Sequence, residues 1–151
     1  LHLSSAASDV YKRQIPGFLG PLAGILSGLR WAQNLNADCL ISVAADTPFF
    51  PENLVEKLAN NTADMNEPLA LAFTRDEKGK VLRHPTFGIW PVSLADNLEN
   101  ALLKGLRKIV LWVDQNDGRG VEFDQCLFDP FFNVNSPDDL AEAERLIGMT
   151  K

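Results

Sequence analysis

Asp46 is the acid best placed to do chemistry. It follows the apolar run Cys39-Leu40-Ile41-Ser42-Val43-Ala44-Ala45 and opens the loop Asp46-Thr47-Pro48-Phe49-Phe50-Pro51. A short, nearly continuous apolar run reads as a strand buried on both faces of a parallel sheet. Ligands of open α/β sheets sit outside the carboxyl ends of the strands. A carboxylate in a proline-fixed loop there can give oxygen to Mg2+, which takes one or two carboxylates plus substrate phosphates. The same residue suits a helix cap or an Asx turn equally well.

Two further groups carry chemical potential. His84 precedes Pro85 at the entry to a predicted strand, and nothing around it resembles a nucleophile elbow. It reads as a structural or substrate-contacting side chain rather than a general base. Asn133 and Asn135 alternate along a predicted strand from Phe131 to Val134, so they share a face, and Ser136 opens the last helix. That face offers amides beside a helix N-terminus; ordinary turn and cap chemistry would use the same residues. Cys39 and Cys126 have no CxxC partner, and Cys39 reads as a small buried hydrophobe, which fits a reducing cytoplasm.

The elements that must position these residues alternate between strand and helix. Gly20-Pro21-Leu22-Ala23-Gly24 starts a helix reaching about Asn34, with Leu22, Ile25, Leu26 and Leu29 on one face. Gly24 and Gly28 leave a smooth strip on it, for helix packing or for close approach of a ligand. Pro51 suits the first turn of the next helix, which carries Leu54, Val55 and Leu58. Residues 68–73 form a strand, 74–80 a charged turn, and Phe87 to Trp90 a strand. Pro91 to Lys104 is a helix ended by Gly105 at the C′ position. Residues 109–113 stay ambiguous between strand and buried helix. Val121 to Phe123 is a short strand, and Ser136-Pro137-Asp138-Asp139 caps a final helix with Leu140, Ala143 and Ile147 inward. This alternation predicts one α/β domain with a mostly parallel sheet.

Bulk properties narrow the class. A chain of 151 residues with 46% hydrophobic and 23% charged residues can bury a core, which argues against disorder. No apolar run approaches the roughly 18–20 residues of a spanning helix. A net charge of −6 without a basic stripe argues against nucleic-acid binding. A small polyanion remains compatible, provided that local donors offset its charge. Residues 1–14 show neither helical period nor strand alternation. The stretch Ser4 to Gln14 resembles translated adapter read-through, so 1–14 is read as non-native and 15–151 as a partial domain.

Four clusters together resemble the molybdenum cofactor guanylyltransferases: Gly20-Pro-Leu-Ala-Gly24, the strand running into Asp46-Thr-Pro48, His84-Pro-Thr86 before a strand, and Asn133-Val-Asn-Ser-Pro137 opening the final helix. The resemblance runs from about Ile15 to the C-terminus. It implies a Rossmann-like three-layer αβα nucleotidyltransferase fold and transfer of GMP from GTP to the phosphate of molybdopterin, with Mg2+. In that pattern Asp46 matches the residue that serves Mg2+ and the GTP phosphates, and Gly20 and Pro21 belong to the nucleotide side. His84, Thr86, Asn133 and Asn135 fall where the family forms its pterin-side pocket. The resemblance leaves room for transient contact with molybdopterin-synthesis or molybdoenzyme-maturation proteins.

The chain departs from that family at its front. The family's first strand and its glycine-rich Leu-Ala-Gly-Gly loop, with Arg and Lys, have no counterpart in these residues. The expectation is a family member lacking most of its GTP site, inactive as it stands. Two alternatives stay open: a cytidylyl- or sugar-phosphate nucleotidyltransferase of the same fold, and a noncatalytic α/β binding domain in which Asp46 is only a cap.

Overall fold

The computed structural model describes residues 20–125 and 128–150; the segment 1–14 and Cys126 lie outside them. In chain order the elements are α1 (Pro21–Asn34), β1 (Cys39–Ser42), α2 (Leu54–Thr62), β2 (Ala70–Arg75) and β3 (Val81–Pro91). A single 3-10 turn (Val92–Leu94) leads into α3 (Ala95–Leu103), followed by α4 (Ile109–Gln115), β4 (Arg119–Glu122) and α5 (Pro137–Thr150).

The four strands form one sheet in the order β1-β3-β2-β4. β3 runs antiparallel to both β1 and β2, and β2 pairs in parallel with β4. β1, β2 and β4 therefore share a direction, but the sheet is mixed rather than mostly parallel in its pairing. The cause is local. Asp76 Oδ1 accepts the backbone N–H groups of Lys78 and Lys80, and Gly79 takes a φ of 79°, so the charged turn closes a tight hairpin. The returning strand then slots between β1 and β2.

Side chains alternate across this sheet and build two cores. Leu40, Leu71 and Trp90 face α1, α3 and α4; Ala70, Ala72, Phe87, Ile89 and Val121 face Leu54 and Leu58 of α2 together with Phe123 and Phe131. Helices on both faces make three layers. Gly28 of α1 lies so close to β1 that an added Cβ would stand 2.7 Å from Leu40 Cδ2, which favours the helix-packing reading of that glycine.

Several elements differ from the expected ones. β1 ends at Ser42, and within it only Leu40 is fully buried, because β1 has a single neighbour among the described strands. Cys39 is accordingly half-buried, with its thiol pushed up by burial and by the nearby Asp38 charge. α2 begins at Leu54 after a turn closed by Leu54 N–H on the Pro51 carbonyl, and Val55 is 43% exposed instead of facing the core. β3 starts earlier than expected, so His84 and Thr86 lie inside a strand. Pro85 is accommodated by a bulge: Ala72 pairs with His84 while Leu71 pairs with Gly88, leaving residues 85–87 out of register. Residues 109–113 are helical, with Ile109, Trp112 and Val113 buried at spacings of three and one. Gly105, at φ 94°, ends α3 as expected; its N–H meets Leu102 O and that of Leu106 meets Ala101 O, both at 3.0 Å. Leu140 is 52% exposed, whereas Ala143 is buried.

Candidate functional site

The loop after β1 holds Asp46 four residues beyond the strand's end, with its side chain half-buried. The Asp46 carbonyl accepts the Val134 backbone N–H at 2.7 Å. Next to it Thr47, 1% exposed, donates its hydroxyl to Asn133 Oδ1 at 2.9 Å, while Asp46 Oδ1 lies 3.3 Å from the same hydroxyl. A hydroxyl has one hydrogen to give, and the shorter contact takes it. Two of the four sequence clusters are thus clasped together by one backbone and one side-chain hydrogen bond.

Residues 131–134 are not a strand, so the shared-face argument for Asn133 and Asn135 fails. The local bonds explain why. Asp129 Oδ1 accepts Phe131 N–H at 2.9 Å, Phe132 N–H meets Asp129 O at 3.2 Å, and Val134 N–H goes to Asp46, so this backbone satisfies itself in a turn and a cross-loop bond rather than in a ladder. Asn133 reaches inward to Thr47. Asn135 N–H instead donates to Asp139 Oδ2 at 3.0 Å, while Asp139 N–H donates to Ser136 Oγ at 3.1 Å. These reciprocal bonds are the predicted N-cap of α5, and they hold the Asp139 carboxyl below its ordinary range.

His84 joins this region through aromatic packing. Its ring stacks on Phe131 with centroids 4.0 Å apart and planes 17° apart, and Phe131 meets Phe87 edge-on at 4.8 Å. His84 Nε2 lies 2.9 Å from Thr74 Oγ1, and burial lowers the ring's pKa more than the Asp129 charge raises it. Thr86 contributes its backbone: the carbonyl accepts Ser42 Oγ–H at 2.8 Å, and that hydroxyl accepts Trp90 Nε1–H at 2.8 Å. Gly20 and Pro21 form the start of α1, with Gly20 at φ 92° and its carbonyl accepting Gly24 N–H at 3.4 Å. None of the hydrogen bonds described links them to the Asp46 loop.

Ser42 and Thr74 escaped the sequence reading, and Thr47 entered it only as part of the Asp46-Thr-Pro48 cluster, with no role of its own. Its near-complete burial is what marks it.

The electrostatics are one-sided. Among the described residues Arg30, Arg75, Arg83, Arg119 and Arg145 each pair with a carboxylate, and Arg107 donates to the Leu102 and Leu106 carbonyls. Asp46 takes part in none of these ion pairs. Among the described residues no group of three or more His, Cys, Asp or Glu is gathered that could hold a metal alone. One unneutralised carboxylate fits Mg2+ as a single ligand in a set that substrate oxygens and water complete.

The sequence profile described as MobA-like NTP transferase domain matches residues 3–117. The chain belongs to this family. The resemblance read from the four clusters therefore holds at the family level. Among curated relatives, the molybdenum cofactor guanylyltransferase of Bradyrhizobium sp. (strain ORS 278) is 42% identical over 138 residues, covering 89% of this chain and 63% of the relative. The chain thus spans less than two thirds of that relative's length. Among solved structures, molybdopterin-guanine dinucleotide biosynthesis protein A from Archaeoglobus fulgidus superposes with a TM-score of 0.58 at 27% identity, covering 87% of this chain and 64% of that one. The 2-C-methyl-D-erythritol 4-phosphate cytidylyltransferase of Francisella tularensis gives a TM-score of 0.62 at 13% identity, covering 83% of this chain and 67% of that one. The latter likeness concerns the fold alone. This MobA-like NTP transferase chain is an α/β nucleotidyltransferase fold with a mixed sheet, and among its described residues no helix is long and apolar enough to cross a membrane.

Proposed function

We propose that these residues form the metal-side and acceptor-side part of an enzyme that transfers GMP from GTP to the phosphate of molybdopterin, releasing pyrophosphate. The observation that carries this reading is the clasp between the Asp46 loop and the Asn133 loop, because it joins two of the four clusters that resemble the guanylyltransferases.

Asp46 would hold Mg2+ through its carboxylate. When bound, the ion supplies charge neutralisation and Lewis-acid polarisation of phosphate oxygens. The protein's own task is to orient the acceptor. A phosphate monoester is already largely dianionic near neutral pH, its second pKa being about 6, so attack needs no histidine base. His84, kept neutral by burial, then serves binding rather than proton transfer. Thr86, Asn133 and Asn135 belong to the same acceptor side, with Asn133 restricted because Thr47 already uses its carbonyl oxygen. Gly20 and Pro21 belong to the nucleotide side.

Every described arginine is engaged by a carboxylate or by backbone carbonyls, which supports weak binding of GTP phosphates by these residues. This chain is expected to give no measurable heat on titration with Mg-GTP; tight binding would contradict the division of labour proposed. In a chain extended to the length of its relatives, Asp46→Asn should lower GMP transfer by about 100-fold or more, the scale of losing a transition-state electrostatic contact. Unchanged turnover would leave Asp46 as a cap.

A further inference from the structure

Thr74 lies in β2, outside the four clusters that the sequence singles out, and its side chain is completely buried. Its hydroxyl has two described partners. Gln125 Nε2 donates to it at 3.1 Å, and His84 Nε2 lies 2.9 Å away. A hydroxyl offers one hydrogen. If the imidazole also donated from Nε2, the Thr74 hydrogen would be buried without an acceptor, an arrangement folded proteins avoid. The hydroxyl therefore donates to His84 Nε2, which leaves the ring proton on Nδ1. Nδ1 makes none of the hydrogen bonds described, and no buried side-chain nitrogen or oxygen among the described residues lacks a partner, so Nδ1 reaches solvent. The ring cannot swivel freely, because Phe131 stacks on it at 4.0 Å and is itself held edge-on by Phe87 and Phe123.

We propose that Thr74 is a positioning residue: with Gln125 behind it, its hydroxyl locks His84 in the Nδ1–H tautomer, so that the ring presents a fixed, neutral N–H donor to an acceptor oxygen of the bound pterin phosphate. The locked tautomer stands on geometry alone. The ligand clause rests on the acceptor-side reading of His84 given above.

The test is two-bond proton–nitrogen correlation NMR on the nitrogen-labelled 151-residue chain, recorded where the rings are neutral, with His2 assigned by its loss in His2→Gln. A free neutral imidazole prefers the proton on Nε2, so the expected Nδ1–H pattern at His84 is diagnostic. Thr74→Val should move the ring towards Nε2–H, and Thr74→Ser should restore the native pattern. Gln125→Leu, a change at an exposed side chain, should also mix the tautomers without threatening the fold. An Nε2–H ring in the native chain overturns the proposal outright. So does an unchanged tautomer in Gln125→Leu and in a folded Thr74→Val, because packing alone would leave it so. A pterin carrying a phosphate monoester should shift the His84 Nδ1–H resonance in the native chain and shift it less in Thr74→Val. A silent ring with the tautomer intact overturns the ligand clause. Failure of the Asp46 reading is scored separately, by turnover in Asp46→Asn.

Discussion

Thr47 concentrates the site's energetics in one hydroxyl. Its burial means that Asn133 rather than water satisfies the hydroxyl. Thr47→Val keeps the shape and should lower unfolding stability by about 0.5–1.5 kcal/mol, the usual net worth of one hydrogen bond. Urea unfolding measures it, and Thr47→Ser should recover most of the loss. His84 sets a pH signature of its own. Burial lowers its pKa from the ordinary 6.5, so the unfolded chain binds the proton more readily than the folded one. The contribution is present above about pH 6.5 and is lost as pH falls from there through the lowered folded value. Denaturation midpoints measured on either side of that window should show the loss, and His84→Gln should remove this component. Asp139 acts at lower pH with the same sign: its depressed pKa stabilises the fold above the ordinary carboxylate range, and that support fades on acidification.

At the scale of elements, close backbone approach decides which glycines matter. A Cβ on Gly88 would stand 2.6 Å from the Ala70 carbonyl oxygen, beside the β-bulge that accommodates Pro85. Neither strand can yield without breaking the ladder, so Gly88→Ala should cost about 2 kcal/mol or more, within or above the usual range for overpacking. Gly28→Ala is the contrast. Its Cβ would meet only the flexible end of Leu40, and the gain of about 1 kcal/mol in helix propensity opposes the clash. The shift in unfolding midpoint should be clearly smaller than for Gly88→Ala. Most elements were legible because their signals are local: Pro21 at the start of α1, Gly105 after α3 and Ser136 before α5 each announce a boundary. The pairing of strands was not. β3 sits between β1 and β2 because of a hairpin turn and a bulge, and neither leaves a hydrophobic period to read. Segment 131–134 failed for a related reason. Its Phe-Phe-Asn-Val pattern alternates like a strand, yet its hydrogen-bond partners are Asp129 and Asp46 rather than a neighbouring strand.

The described residues are organised as two cores separated by one mixed sheet, with the Asp46 loop, His84 and the Asn133 loop on the α2 side. Phe131 and Phe87 belong to that core, and His84 packs on Phe131. Asp46 could be singled out as a candidate because acid-after-strand is a property of consecutive residues. Its partners were not, because Thr47 and Asn133 lie 86 positions apart and no pattern within either segment names the other. The surface ion pairs add little to the fold. Arg119–Asp64 and Arg75–Glu122 are well exposed, and such pairs contribute about 0–1 kcal/mol and weaken with salt. Unfolding stability should therefore change only slightly between low and moderate ionic strength, which chemical denaturation in a salt series would check.

The distance along the chain between the two halves of the Asp46 clasp also has a consequence in time. Contacts between remote segments form late, because the intervening chain must first be ordered. On a ribosome the Asp46 loop emerges long before Asn133 and Val134 exist, so the acid stays unanchored until that later segment has been made. A nascent chain cut before Asn133 would carry the carboxylate without its anchor, and the order of synthesis itself delays the clasp.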